Sequence, residues 1–238
     1  RSRNSLEVYK DTDYDLKSGE GGVRYAPGTG IEVDLVYRAT SGEYKSAQRY
    51  GDDGSALLCN NNCRKNDYDE DSLQARVQYR PSEDSSLGGF VGYTRRDYDQ
   101  GNRHFRGLTA GFDTEWAVSG AVQMRASLGR SIEPDDDAVT GSYADTWSLN
   151  FSPTIQATGK ITVEPYLRYY DRRYKGDQLA AGQVERKDKI YMVGAEADYE
   201  FRRNMFLMAS ISREQRDSNR ANLDYKANVF GLGLKVQF

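Results

Sequence analysis

Apolar and polar residues take turns along this chain with a period of two, segment after segment. That repetition restricts it to β-structure with two chemically different faces. At the C-terminal end Phe230, Leu232, Leu234, Val236 and Phe238 fall on one face, and Val229, Gly231, Gly233, Lys235 and Gln237 on the other. Met205, Leu207, Ala209 and Ile211 alternate in the same way with Phe206, Met208, Ser210 and Ser212. Trp147, Leu149, Phe151, Pro153 and Ile155 alternate with Thr146, Ser148, Asn150, Ser152 and Thr154. No helical stripe of comparable length competes. No apolar run approaches the roughly 18 residues that a membrane-spanning helix needs.

Composition narrows the class. The 238 residues include 18 Tyr, 8 Phe and 2 Trp, too many aromatics for a solvated, disordered polyelectrolyte. With 23 Gly, 5 Pro and 29 % charged residues, the chain reads as a β protein with a wet interior. The 33 basic and 36 acidic residues give no overall attraction to nucleic acid, and none is expected as a partner.

The alternating segments place strands at 4–10, 16–25, 31–44, 72–79, 87–98, 106–116, 121–131, 144–155, 161–174, 188–201, 205–217 and 225–238, about twelve in all. Their connections take turns between short and long. Short ones fall at Pro27 to Gly30, Arg80 to Ser86, Ala117 to Gly120, Ala157 to Lys160 and Arg202 to Asn204. Long ones fall at Lys45 to Asp71, Asp99 to His104, Ile132 to Tyr143, Tyr174 to Lys187 and Ser218 to Asp224. A plain end and a decorated end are the signature of a transmembrane antiparallel up-and-down β-barrel, expected here as a single domain over residues 1–238. The expected location is the bacterial outer membrane, with both termini periplasmic. Strands running toward the short turns end at Tyr25, Tyr79, Trp116, Phe201 and Phe238, which makes an aromatic girdle at one interface. A second belt runs through Tyr37, Tyr93, Trp147 and Tyr169. Pro153 and Pro165 interrupt strands, and a bulge is the expected remedy.

The face opposite the apolar residues supplies the candidate lumen. Near the short-turn end it carries Glu32, Asp34, Asp113, Glu115, Glu164, Glu196 and Asp198. Higher up it carries Arg38, Arg76, Arg96, Arg125, Arg168 and Arg172, with Tyr166 and Tyr170 among them. Guanidinium groups pair carboxylates in a fork, and tyrosine rings stack on sugar faces, so this pattern suits an acidic oligosaccharide. Charges that merely pair with one another across strands are the competing reading.

Outside the strands, Cys59 and Cys63 flank three asparagines. Two thiolates are too few for a metal site, and a local disulfide is expected, implying an oxidising compartment, with free thiols the alternative. The acidic strings Asn66 to Asp71 and Glu133 to Asp137 do not follow a calcium-loop spacing and read as solvated loops; no metal or cofactor is expected. The basic run Arg172, Arg173, Lys175, Arg186, Lys187 and Lys189 is suited to lipopolysaccharide phosphates, or to a plain charged rim. The single histidine, His104, is the one candidate for a rim hydrolase, and no nucleophile or phosphate-loop motif accompanies it; the chain is not expected to be an enzyme.

The terminal Phe238 with alternating apolar residues back to Phe230 resembles the C-terminal recognition strand of outer-membrane barrels, which implies the barrel-assembly machinery as a partner. The strings Tyr93-Thr94-Arg95-Arg96-Asp97-Tyr98-Asp99, Arg168-Tyr169-Tyr170-Asp171-Arg172-Arg173-Tyr174 and the closing Ser212-to-Ser218 and Asp224-to-Val229 segments resemble the family known as putative β-barrel porin 2. That resemblance implies an outer-membrane barrel of the kind associated with exopolysaccharide gene clusters. Members tend to be longer, so the chain is either a short member or the C-terminal part of a larger barrel. The function implied is a porin-like channel for export or passage of anionic oligosaccharide or exopolysaccharide. The alternative is a plugged, structural barrel that docks a protein partner through its outer loops.

Overall fold

The structure, a computed structural model, describes residues 14–28, 30–44, 67–99, 104–134, 143–175 and 184–236. These form one antiparallel meander of eleven strands: β1 (Tyr14–Tyr25), β2 (Ile31–Tyr44), β3 (Tyr68–Ser82), β4 (Ser85–Tyr98), β5 (His104–Ser119), β6 (Val122–Pro134), β7 (Tyr143–Thr158), β8 (Ile161–Lys175), β9 (Lys187–Arg202), β10 (Met205–Ser218) and β11 (Tyr225–Val236). Each strand pairs with the one before and the one after it in sequence. They correspond to the second to twelfth of the strands read from the alternation; the first, at residues 4–10, lies outside the described residues.

The short turns are tight for identifiable reasons. Gly30 has φ +74°, and a Cβ there would meet the Arg80 carbonyl oxygen at 2.5 Å, so the β1–β2 connection needs glycine at this point. Asn204, the left-handed residue of the β9–β10 turn at φ 62°, is the side chain type that tolerates this region best after glycine.

Register separates the two faces. Leu35, Tyr37, Leu73, Val77, Val91, Tyr93, Leu108, Phe112, Leu128, Leu149, Phe151, Leu167, Val193 and Leu207 share one face and are all exposed. Tyr25, Tyr79, Trp116 and Phe201 lie on the same face near the short turns, and Trp147 and Tyr169 on it toward the long connections. Exposed apolar surface of this extent needs an apolar solvent. The opposite face is concave. Arg76 of β3 reaches Glu20 of β1 at 3.5 Å, Arg125 of β6 reaches Glu164 of β8 at 3.7 Å, and Arg172 of β8 reaches Glu133 of β6 at 3.2 Å. In each case one strand lies between, a separation of roughly 9–10 Å in a flat sheet, so the sheet curls toward this side.

Two features depart from simple alternation. Pro153 and Pro165 produce no bulge: the β7–β8 register is the same at Phe151↔Leu167 and at Ile155↔Val163, which sets the prolines opposite each other. Both missing N–H donors therefore fall on one pair, while the ladders from Pro153 to Met124 and from Pro165 to Ala195 continue. The second departure is at the long-connection end. The β5–β6 ladder stops at Ala110↔Arg130, whereas β6 and β7 stay paired up to Pro134↔Tyr143. Freed from β5, the β6–β7 tip turns inward. Tyr143 belongs by parity with the apolar outer series, yet its ring stacks on Tyr98 at 6.3 Å and meets Phe105 edge-on at 5.5 Å, both inner-face residues.

Candidate functional site

The concave face holds the charged residues singled out in the sequence. Glu32, Asp34, Arg38, Arg76, Arg96, Asp113, Glu115, Arg125, Glu164, Tyr166, Arg168, Tyr170, Arg172, Glu196 and Asp198 all fall on it by register. Most of its arginines are already engaged with carboxylates. Arg38 binds Glu20 at 2.6 Å, and Arg76 shares the same carboxylate while donating to the Gln74 side-chain oxygen. Arg125 donates to Thr154 Oγ1 at 2.8 Å and lies 3.7 Å from Glu164. Asp34 and Glu32 both face Arg24, at 2.7 and 3.4 Å. The alternation showed which residues share the face; it held no signal for these partners, since Glu20, Glu70 and Glu133 lie on other strands.

Free charge remains at two levels. Among the described residues, Asp113, Glu196 and Asp198 have no cationic partner, and they stand toward the short turns. Arg168 is the mid-strand arginine of this face without a carboxylate partner among the described residues; its guanidinium sits 4.6 Å above the Tyr166 ring. It belongs to a ladder that β8 presents inward at every second position: Tyr166, Arg168, Tyr170, Arg172, Tyr174. Arg172 lies over the Tyr170 ring at 5.5 Å, and the Tyr170 hydroxyl donates to Asn150 Oδ1 at 3.4 Å. Aromatic planes alternating with guanidinium groups offer stacking and bidentate pairing along a single line.

Gly194 makes room for the lower ring of this ladder. A Cβ at Gly194 would meet the Tyr166 hydroxyl oxygen and ring at 2.6 Å and the Ile211 carbonyl oxygen at 2.7 Å. Gly194→Ala is therefore expected to push Tyr166 off its position and to cost about 1–3 kcal/mol of stability. The temperature at which detergent-folded protein loses its compact, heat-modifiable gel migration measures this; an unshifted transition would show that the ring is not held there.

Toward the long connections the concave space is filled. Tyr68, Tyr98, Phe105 and Tyr143 form a buried aromatic cluster, with Tyr14 and Ile132 packed against it. Arg96, 4 % exposed, lies 4.2 Å over the Tyr68 ring, pairs with Glu70 at 2.6 Å and donates to the Ile132 carbonyl of the inward-turned tip. Arg130 and Asp145 form a two-bond pair at 2.9 Å on the same tip. Beside it Arg186 binds the fully buried Asp188 at 2.6 Å and covers the Tyr174 ring, and Ser218 Oγ donates to Asp188 at 2.7 Å. Tyr98 and Tyr174 belong to two of the strand-end strings in the sequence, so their inward parity was legible. The tip that stacks on Tyr98 was not.

The remaining sequence candidates fall elsewhere. Cys59, Cys63 and Phe238 lie outside the described residues. His104 opens β5 rather than sitting in a loop; it is exposed and stands opposite Asp97, which is bound to Arg95 at 2.6 Å. Among the described residues no cluster of three metal-ligating side chains occurs.

Comparison with known proteins places this architecture. The chain superposes on the FrpB iron transporter from Neisseria meningitidis with a TM-score of 0.58 at 11 % identity, over 94 % of this chain and 41 % of that one. It superposes on the alcaligin outer membrane receptor FauA from Bordetella pertussis with a TM-score of 0.53 at 14 % identity, over 92 % of this chain and 41 % of that one. The chain thus spans about two fifths of the length of each, and at these identities the likeness is one of fold, that of outer-membrane β-barrels. No curated protein matches it in sequence. The family model for putative beta-barrel porin 2 matches residues 86–238, the run of strands from β4 onward that contains the tyrosine–arginine ladder and most of the filled end. The match covers well over half the sequence, and the chain belongs to the putative beta-barrel porin 2 family.

Proposed function

We propose that this chain forms the wall of a porin-like barrel in the bacterial outer membrane, with the short turns periplasmic and the long connections outside, and that it passes acidic oligosaccharide chains. The observation that carries the substrate class is Arg168, poised on Tyr166 on the concave face with no carboxylate partner among the described residues. A saccharide carboxylate takes the guanidinium while the sugar ring lies on Tyr166 or Tyr170. The paired arginines Arg38, Arg76 and Arg125 act as struts between strands, and the free acids Asp113, Glu196 and Asp198 oppose anions nearer the short turns. Conductance across a planar bilayer tests this. Arg168→Glu is expected to move the reversal potential toward cations, more at low salt than at high. An unchanged reversal potential removes Arg168 from the pathway.

A second reading is favoured by the inward-turned β6–β7 tip: a barrel closed at its outer end that docks a partner through its long connections. Protein that folds yet never conducts, in several lipids, supports this reading over passage.

A further inference from the structure

We propose that the outward rim of β8 and β9 binds a phosphorylated glycolipid of the outer leaflet through Arg173, Lys187 and Lys189; this rests on the proposed function, in which the strands cross an outer membrane with the long connections outside. The basic run in the sequence is divided by the two-residue period. Arg172 and Arg186 turn to the concave side, where Glu133 and Asp188 hold them. Arg173, Lys187 and Lys189 are exposed, and register puts them on the apolar, convex face. Up that face the β8–β9 ladder reads Leu167↔Val193, Tyr169↔Tyr191, Asp171↔Lys189, Arg173↔Lys187. The two tyrosine rings touch with centroids 5.0 Å apart. An acyl-facing pair, an interfacial aromatic pair and a cationic pair thus follow one another on a single line, which is the order in which a membrane glycolipid presents chains, headgroup boundary and phosphate.

Two of the three cations are unpaired: among the described residues Lys187 and Lys189 have no carboxylate within ion-pair distance, although Asp171 and Asp217 stand opposite Lys189 in register. Arg173 lies 3.5 Å from Asp171 and offsets that charge. The rim is also polarised around the sheet. Over β2 and β3 the convex face carries Glu43, Asp69 and Asp71; of the neighbouring cations, Lys17 of β1 lies 3.8 Å from Glu43, and Arg95 of β4 stands opposite Asp71 but is bound to Asp97 at 2.6 Å, so acid prevails there. With screening over ~8 Å at physiological salt, a phosphate feels only its own sector, so the β8–β9 side attracts it and the β2–β3 side does not. Continuity with the exposed apolar face selects a lipid rather than a soluble phosphate.

The full chain, folded in non-ionic detergent, is to be mixed with bisphosphorylated lipid A or with the same lipid dephosphorylated, and retained lipid counted by native mass spectrometry. Wild type is expected to prefer the phosphorylated lipid by about tenfold or more. The variant R173Q/K187Q/K189Q should lose that preference, and D171N should strengthen it. Inorganic phosphate in large excess should leave the lipid bound. Equal retention by the folded triple variant, no gain in D171N, or full displacement by inorganic phosphate would each overturn the proposal. Conductance is read separately: lost lipid preference with intact channels sinks only this inference, and retained preference without channels sinks only the passage reading.

Discussion

Arg96→Ala is expected to destabilise the folded chain by about 3–5 kcal/mol, the range for removing one partner of a buried ion pair. Arg96 is almost wholly buried, and its removal leaves Glu70, itself only 18 % exposed, without its counter-charge. It also deletes the guanidinium that lies over Tyr68 and the bond to the Ile132 carbonyl, which ties β4 to the inward-turned tip across β5. The heat-modifiable transition in detergent should fall steeply. Any conductance should rise, because the tip loses a tether to the wall it covers. The double variant Arg96→Met with Glu70→Leu should regain most of the stability, since a well-packed apolar pair replaces buried charges at little net cost. An Arg96→Ala protein as heat-stable as wild type would show that the filled end does not depend on this pair.

The second large effect contrasts neighbouring residues. Leu128→Arg should cost about 2–4 kcal/mol, the penalty for arginine near the bilayer midplane on the lipid face. Leu128 sits mid-strand between Phe112 and Leu149 on the convex side and has no polar neighbour in register. Ser127→Arg should be tolerated or stabilising. Ser127 is on the concave side, opposite Asp113, whose carboxylate has no cationic partner among the described residues. Folding yield into lipid vesicles, followed by protease protection, separates the two. Equal yields would mean that the faces are not in lipid and in water.

That contrast is legible in the alternation alone, because the face a strand residue takes is set by its own backbone geometry. Two residues on, the side chain returns to the same side whatever the neighbouring strand does. The alternation therefore placed Arg38, Arg168 and Glu196 together on one face and Tyr37, Leu128 and Leu207 on the other, and the uneven connections pointed to the meander. Ion-pair partners are a different matter. Arg38 finds Glu20, and Arg172 finds Glu133 across an intervening strand, only once register and curl bring them within reach. Local pattern carries neither quantity. The same holds for the facing prolines, which spare the ladder a bulge because the β7–β8 register sets them opposite each other. The inward tip shows the limit most plainly. Tyr143 obeys the period and should face lipid, yet the β5–β6 ladder ends at Ala110↔Arg130, and above that point β6 and β7 follow their contacts with Tyr98, Phe105 and Arg96 instead. The sequence by itself determined which side chains share a face, because that follows from covalent geometry. Only the tertiary structure decided which charges neutralise one another and which end of the sheet is filled, because both depend on distances between strands remote in the chain.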